Sequence, residues 1–266
     1  MIAAAMSLPT VLRDALRQNL RRPGFSALLV LLLALGIGVN AALFELAHTA
    51  LLRPLAVERP DTLVRVFTRD PVSQDISNGS YPWFRWLSDL PGFAGAAAYS
   101  EWNSVAAAPG AAPAQRRLAG LASGSFFQVL GIAAARGRVF GPDDDRAVGQ
   151  HPVVVLTDGY WRSQLAADPQ VLGSTLRING EPYAVIGVLP PGFVGPSLGT
   201  RVDFWLPLAM AAKVSPSFLK DDFRERQEQS WLDVVARLAP GVPAAATQSQ
   251  LDLANLLRHQ DGTTLA

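Results

Sequence analysis

Few side chains in this 266-residue chain have the types and spacing that could do chemistry. One literal enzyme signature occurs, Gly195-Pro196-Ser197-Leu198-Gly199, which matches G-x-S-x-G. A nucleophile elbow needs a strand immediately before the serine and a helix immediately after it, so that the hydroxyl stands exposed on a sharp turn. Here Pro190, Pro191 and Pro196 break a leading strand, and Arg201 to Leu206 reads as a strand. A flexible loop is therefore expected around Ser197. His48, His151 and His259 lie in different elements without metal-ligand spacing. Asp143, Asp144 and Asp145 lack the glycine and distal glutamate of a calcium loop, so a solvated acidic loop is expected there. Gly36 to Ala41 fits G-x-G-x-x-A, but the run before it is longer and richer in leucine than one strand, and no βα alternation follows. Lys213 and Lys220 are the only lysines, and neither follows the glycines of a P-loop. The chain has no cysteine, which excludes a disulfide framework, a zinc ribbon and a cysteine nucleophile. No catalytic residue, cofactor or metal is expected.

Composition points the same way. Net charge is +1, from 23 Lys+Arg and 22 Asp+Glu, which gives a nucleic-acid binder no basic surplus. With 49% hydrophobic residues, global disorder is excluded. Only 17% of residues are charged, against about 25% in soluble domains. The apolar excess is local: from Pro23 to Phe44 no residue is charged. A spanning helix needs about 20 mostly apolar residues, and Phe25 to Phe44 supplies them. Twenty-four residues precede this run, and it is longer than the apolar core of a signal peptide, so an anchor is expected rather than a cleaved leader. Ala34, Gly38 and Ala42 fall on one helix face, where small residues let a second helix approach, and Asn40 could hydrogen-bond across such a contact. Residues 1 to 24 carry Arg13, Arg17, Arg21 and Arg22 against Asp14 alone, which places this end in the cytoplasm. Leu12, Leu16 and Leu20 beside those arginines suit a short amphipathic helix on the inner membrane surface.

The remainder reads as α+β. Leu63 to Phe67 is a strand. Ser80 caps a helix with Pro82 in its first turn, and its aromatic residues Tyr81, Trp83, Phe84 and Trp86 pack on a sheet. Gly95 to Ala108 and Gln115 to Ala122 are antiparallel strands, followed by a short helix from Ser125 to Leu130. Pro152 to Leu156 is a buried strand, and Thr157 or Asp158 caps a helix reaching about Ala167. Asn179-Gly180 joins two alternating runs as a hairpin. Phe204 to Leu206 and Trp231 to Leu238 are further strands, and a last helix begins at Pro243 with Leu253, Leu256 and Leu257 on its apolar edge. The expected organisation is a cytoplasmic segment (1–24), a membrane helix (25–52) and an extracytoplasmic domain (53–266). Within that domain, a βαβ-type platform of about 53–130 and 213–266 would carry an inserted mixed α/β subdomain of about 131–212. The strand that should follow the last helix is missing, so the domain reads as incomplete at its C-terminus.

These segments, in this order, resemble one family. Leu33-Ala34-Leu35-Gly36-Ile37-Gly38-Val39-Asn40-Ala41-Ala42-Leu43-Phe44 and Leu51-Leu52-Arg53-Pro54-Leu55 resemble the first transmembrane helix of MacB/FtsX-type ABC transporter permeases, the duplicated orphan branch especially. Asn179-Gly180-Glu181-Pro182-Tyr183-Ala184-Val185-Ile186-Gly187-Val188 with Pro190-Pro191-Gly192-Phe193 is similar to a hairpin of that family's periplasmic core domain. Arg237-Leu238-Ala239-Pro240-Gly241-Val242 is similar to its last strand and turn. The resemblance implies a non-enzymatic part in the bacterial inner membrane, with its core domain in the periplasm, that couples ATP hydrolysis by another chain to transport or signalling. The implied partners are a cytoplasmic ABC ATPase touching Arg13, Arg17 and Arg21, further permease helices or a second permease copy against Ala34, Gly38, Asn40 and Ala42, and membrane lipid, with no nucleic acid. A complete permease has at least four membrane segments, so the chain reads as an N-terminal fragment or a truncated frame. Two alternatives stay open: an anchored binding or adaptor protein working without an ATPase, and an anchored hydrolase using Ser197.

Overall fold

The computed structural model describes residues 23–51, 57–69, 76–197, 199–249 and 251–252. The chain divides into two units, one reaching Arg53 and one starting at Pro54. The expected surface helix with Arg13, Arg17 and Arg21, and the leucines from Leu253 onward, lie outside the described residues.

The first unit contains helix α1 (Pro23–Leu51). Within it Ser26–Glu45 is long and apolar enough to cross a membrane. Its described large side chains are exposed within the unit, among them Leu28 at 54%, Leu33 at 62% and Leu43 at 58%. Such a surface is stable only where something other than water covers it.

The second unit is built on one sheet. Its strands are β1 (Leu63–Val66), β4 (Phe93–Pro109), β5 (Gln115–Ala122), β6 (Arg136–Gly137), β7 (Val153–Leu156), β8 (Thr175–Ile178), β9 (Glu181–Val188), β10 (Phe204–Pro207) and β11 (Asp233–Leu238), with β2 (Thr68–Arg69) and β3 (Ile76–Ser77) forming a separate ribbon. The helices are α2 (Tyr81–Ser88), α3 (Phe126–Leu130), α4 (Asp158–Gln164) and α5 (Ala211–Val214). Residues 244–249 are also helical.

Local chemistry explains most of these elements. The Ser80 hydroxyl accepts from Trp83 N at 3.4 Å and starts α2, which buries Trp83, Phe84 and Leu87 against the sheet. Thr157 caps α4 in the same way, accepting from Tyr160 N at 3.3 Å. This helix stops at Gln164, short of the expected Ala167, because Ala166 and Ala167 turn left-handed (φ 49° and 56°) and the Trp161 indole donates to Asp168 O at 2.9 Å. Asn179 and Gly180, at φ 50° and 88°, make the expected hairpin turn.

The topology has two parts that share β4. Its first half lies in an open antiparallel sheet, β1-β11-β4. Its second half lies in a closed ring. β5 pairs with β4, β10 with β5, β7 with β10, β9 with β7 and β8 with β9, and β8 returns to β4 at Ala107↔Ile178. The ring therefore combines β4 and β5 with strands from residues 131–212. One face of every ring strand belongs to a single apolar cluster, with Val105, Leu121, Phe204, Val154, Tyr183 and Ile178 among its members. On β8 and β9 the alternate residues Thr175, Arg177, Pro182 and Ala184 are exposed, which puts that cluster inside the ring. A second cluster, including Tyr99, Phe126, Phe127, Phe193 and Trp205, covers part of the other face.

The acidic run departs from expectation. Asp143 is exposed and pairs with Arg146, and Asp144 accepts from Arg138. Asp145 is buried: it accepts from Gly124 N at 3.0 Å and Ala209 N at 2.6 Å, and pairs with Arg224 at 3.0 Å. Burial pushes its carboxyl above the usual range, opposed by Arg224 and by the two amides. Three adjacent aspartates look alike in sequence, and only the surrounding fold decides which turns inward.

Candidate functional site

The place where the chain joins the sheet is built from polar bonds. Leu63, the first residue of β1, pairs with Arg237 on β11, so the incoming segment and the end of the last strand lie side by side at one sheet edge. The Arg237 guanidinium makes four bonds there. Nε donates to Val129 O at 2.8 Å, Nη1 to Arg59 O at 3.2 Å and Thr62 Oγ1 at 2.6 Å, and Nη2 to Glu58 O at 2.7 Å. Glu58 N donates to Leu130 O at 3.0 Å. Arg59, followed by Pro60, sits at φ 46° and ψ 67°, a conformation a non-glycine residue adopts only when its surroundings hold it. Burial and the charge of Arg59 lower the Arg237 pKa from its ordinary value. One planar five-donor group thus ties residues 58–62 to β11 and to the end of α3, which a lysine could not match. A groove of about 330 Å³ runs beside it, lined by Arg59, Asp61, Arg237 and the turn from Leu238 to Ala244.

A second polar cluster lies where β4 passes from sheet to ring. The β4–β5 ladder slips between Ser100 and Asn103, so Glu101 and Trp102 together face Gly120. Strands that turn a corner between sheets do so through such bulges. Trp102 is 72% exposed, whereas Glu101 is fully buried. Gly120 is needed opposite the bulge, because a Cβ there would lie 2.4 Å from the Trp205 ring. Gly195 and Ser197 lie against Glu101. Gly195 has φ 139°, and a Cβ on it would lie 1.9 Å from Glu101 Oε1. Ser197 lies beside both Glu101 and Tyr99, close enough to favour ionisation of each, yet neither Glu101 oxygen has a partner in hydrogen-bond geometry. The Trp205 Nε1 proton is also unpartnered. Burial pushes the Glu101 carboxyl up to about 7, with Ser197 and Arg65 opposing and Asp233 adding to the rise. Burial likewise pushes Tyr99 to about 12. Asp233 itself pairs with Arg65 at 2.5 Å.

Ser197 thus lies in a loop, not on a strand-to-helix elbow, and its neighbours are a carboxyl and a phenol. Among the described residues no group of three or more His, Cys, Asp or Glu is placed to hold a metal ion. Ala34, Gly38 and Ala42 are exposed on α1. The Asn40 amide donates one N–H to Gly36 O of its own helix at 2.9 Å, and its second N–H and its oxygen remain for a neighbouring helix. Sequence reasoning missed Arg237 and Glu101. The only local signal for Glu101 is one acid inside an alanine-rich strand.

The fold and joint define an α/β domain that follows an apolar helix in the chain. The family model for the MacB-like periplasmic core domain matches residues 26–254, and the chain belongs to that family, which bears out the resemblance to MacB/FtsX-type permeases. The macrolide export ATP-binding/permease protein MacB of Burkholderia thailandensis is 31% identical over 134 residues, covering 50% of this chain and 19% of that protein. The MacB of Burkholderia pseudomallei is 29% identical over the same share. The chain therefore spans about a fifth of the length of these curated relatives. Three solved structures share the fold. The periplasmic region of MacB from Actinobacillus actinomycetemcomitans has TM-score 0.53 at 17% identity, over 76% of this chain and 85% of that one. A domain of a putative permease from Porphyromonas gingivalis has TM-score 0.56 at 19% identity, over 77% and 87%. The extracellular domain of the noncanonic ABC-type transporter YknZ from Gram-positive bacteria has TM-score 0.54 at 15% identity, over 77% and 97%.

Proposed function

We propose that this chain is the N-terminal portion of an ABC transporter permease, in which α1 and the core domain couple ATP hydrolysis by a separate cytoplasmic ATPase to transport or signalling outside the membrane. The observation that carries this reading is the Arg237 joint. It clamps the segment that follows the apolar helix onto the last strand, so displacement of that segment moves β11, and through it β4, as one body. In this reading the N-terminus is cytoplasmic, by the arginines before Pro23, in the inner membrane of a bacterium. Arg13, Arg17 and Arg21 face the ATPase, and Ala34, Gly38, Asn40 and Ala42 face further permease helices or a second permease copy. Residues 131–212 act as the outer subdomain of the core. The MacB relatives, named as ATP-binding/permease proteins, support an ATPase partner.

The test is affinity purification of the full chain from gently solubilised membranes, followed by measurement of ATPase activity in the complex. Recovery of an ABC ATPase whose activity drops on Arg237→Met, with the complex intact, is the expected result. Recovery of no ATPase would favour the adaptor reading, and an ATPase indifferent to Arg237→Met would remove the joint from the mechanism.

A further inference from the structure

We propose that Asn179 is a modification site gated by the strand ring. While the β4–β8 seam is closed its side chain is held, and once the seam opens the Asn179-Gly180 bond converts to aspartate and isoaspartate, after which the seam no longer closes. The chemistry needs only the chain and water. The Gly180 nitrogen attacks the Asn179 side-chain carbonyl carbon and forms a cyclic imide. The bond from that carbon to the side-chain nitrogen breaks, and the nitrogen leaves as ammonia, carrying the proton that the Gly180 nitrogen gives up. Water then adds to one of the two imide carbonyls, giving aspartate or isoaspartate. Asparagine is thermolabile for this reason, and a following glycine puts no Cβ in the way of the attacking nitrogen.

The folded chain holds the side chain that must rotate for this attack. Just beyond the pair Ala107↔Ile178, Asn179 N donates to Ala106 O at 2.8 Å and Asn179 Oδ1 accepts from Ala106 N at 3.0 Å. A side chain thus supplies the last rung of the seam. Asn179 Nδ2 donates to Val214 O at 3.0 Å and reaches Lys213 O at 3.5 Å, two of the carbonyls that α5 leaves without intrahelical partners at its end. Asn179 is exposed, so water already reaches it, and these bonds are what restrain the reaction. The product cannot take the same place. A carboxylate accepts and does not donate, so an oxygen would face Val214 O with no proton between them. Isoaspartate also lengthens the main chain inside a two-residue turn that sets the Ile178↔Glu181 register. The other Asn-Gly pair, Asn78-Gly79, is held differently. There the attacking nitrogen is engaged, with Gly79 N donating to Leu232 O at 2.8 Å beside β11, away from the seam.

The test is incubation of the full chain in detergent at neutral pH, with peptide mapping by mass spectrometry to follow conversion at Asn179 and Asn78. Conversion at Asn179 is expected to be on the order of a hundredfold slower in the folded chain than in the same chain unfolded in urea. Ile178→Ala, which removes buried packing beneath the seam, should speed conversion at Asn179 about tenfold and leave Asn78 at its wild-type rate. Asn179→Asp, which installs the product, should lose hydrogen-exchange protection along the β4–β8 seam. Equal rates in folded and unfolded chain, equal acceleration at both asparagines, or wild-type protection in Asn179→Asp overturns the proposal. Should Ile178→Ala fail to fold, urea below the unfolding transition of the wild type takes its place. Conversion at Asn179 that rises with exchange of the seam amides supports gating, and conversion indifferent to that exchange overturns it.

Discussion

The two halves of β4 live in different kinds of sheet. Phe93 to Tyr99 lies in an open sheet whose edge strand, β1, is held by side chains: Arg237 on the incoming segment and Arg65 on Asp233. Ala107 to Pro109 lies in a ring that has no free edge at this point, because β8 closes it, and whose interior is apolar. The open half is a place where force enters through polar bonds with defined directions. The ring resists deformation, because moving one strand disturbs a closed ladder and a packed interior. Between them stands the bulge at Glu101 and Trp102, where one strand changes from one regime to the other.

Four measurements sharpen or break that contrast. The largest effect is expected in the ring. Phe204→Ala removes a fully buried side chain from its interior and should cost about 3–5 kcal/mol in denaturant unfolding. If it cost no more than an exposed substitution, the ring would not be the rigid half. At the corner, Glu101→Gln should change the pH dependence of stability. Below pH 4.5 the acid is protonated folded or unfolded, so the variant matches the wild type. Between 4.5 and about 7 the unfolded chain releases its proton while the folded chain keeps it, so wild-type stability falls as pH rises and then levels. At pH 8 the glutamine form should therefore be more stable by about 3 kcal/mol, and thermal melts at pH 4 and 8 check the sign. In the open half, Arg237→Met removes four charge-assisted bonds and leaves Val129 O and Glu58 O without their donor, for a loss of about 2 kcal/mol. Proteolysis should then cut first in residues 57–62. The smallest effect belongs to Ser80→Ala, which removes the α2 cap for about 1 kcal/mol while leaving both halves of β4 unchanged.

What could be read from sequence was what neighbours in sequence decide. Ser80 and Thr157 announce helix starts because the cap and its amide lie three residues apart. Asn179-Gly180 announces a turn because its backbone geometry is demanded by the pair itself. The apolar helix, most strand positions and the family were legible for the same reason. The ring was not, because its closure pairs Ala107 with Ile178, and alternation within each strand says nothing about which distant edge it meets. The site residues fared worse. Arg237 sits in a strand-turn that resembles its family's pattern, yet its importance comes from carbonyls at residues 58, 59 and 129. Asp145 reads as part of a solvated acidic loop and Glu101 carries no pattern of its own, yet both are buried by segments remote in the chain.

The length of β4 also bears on how this chain acquires its structure. As synthesis proceeds, β4 and β5 can form a hairpin at once, but the other edge of β4 has no partner until later. Its far end waits for residues 176–178, and its near end waits for residues 233–238. During that interval a long, alanine-rich strand edge stands open to pairing with another chain. Such non-local closure makes folding slow relative to local structure. The exposed Trp102 and the ladder slip beside it interrupt that edge near its middle, so the same bulge that turns the corner in the finished domain also shortens the flat template available to a stray strand.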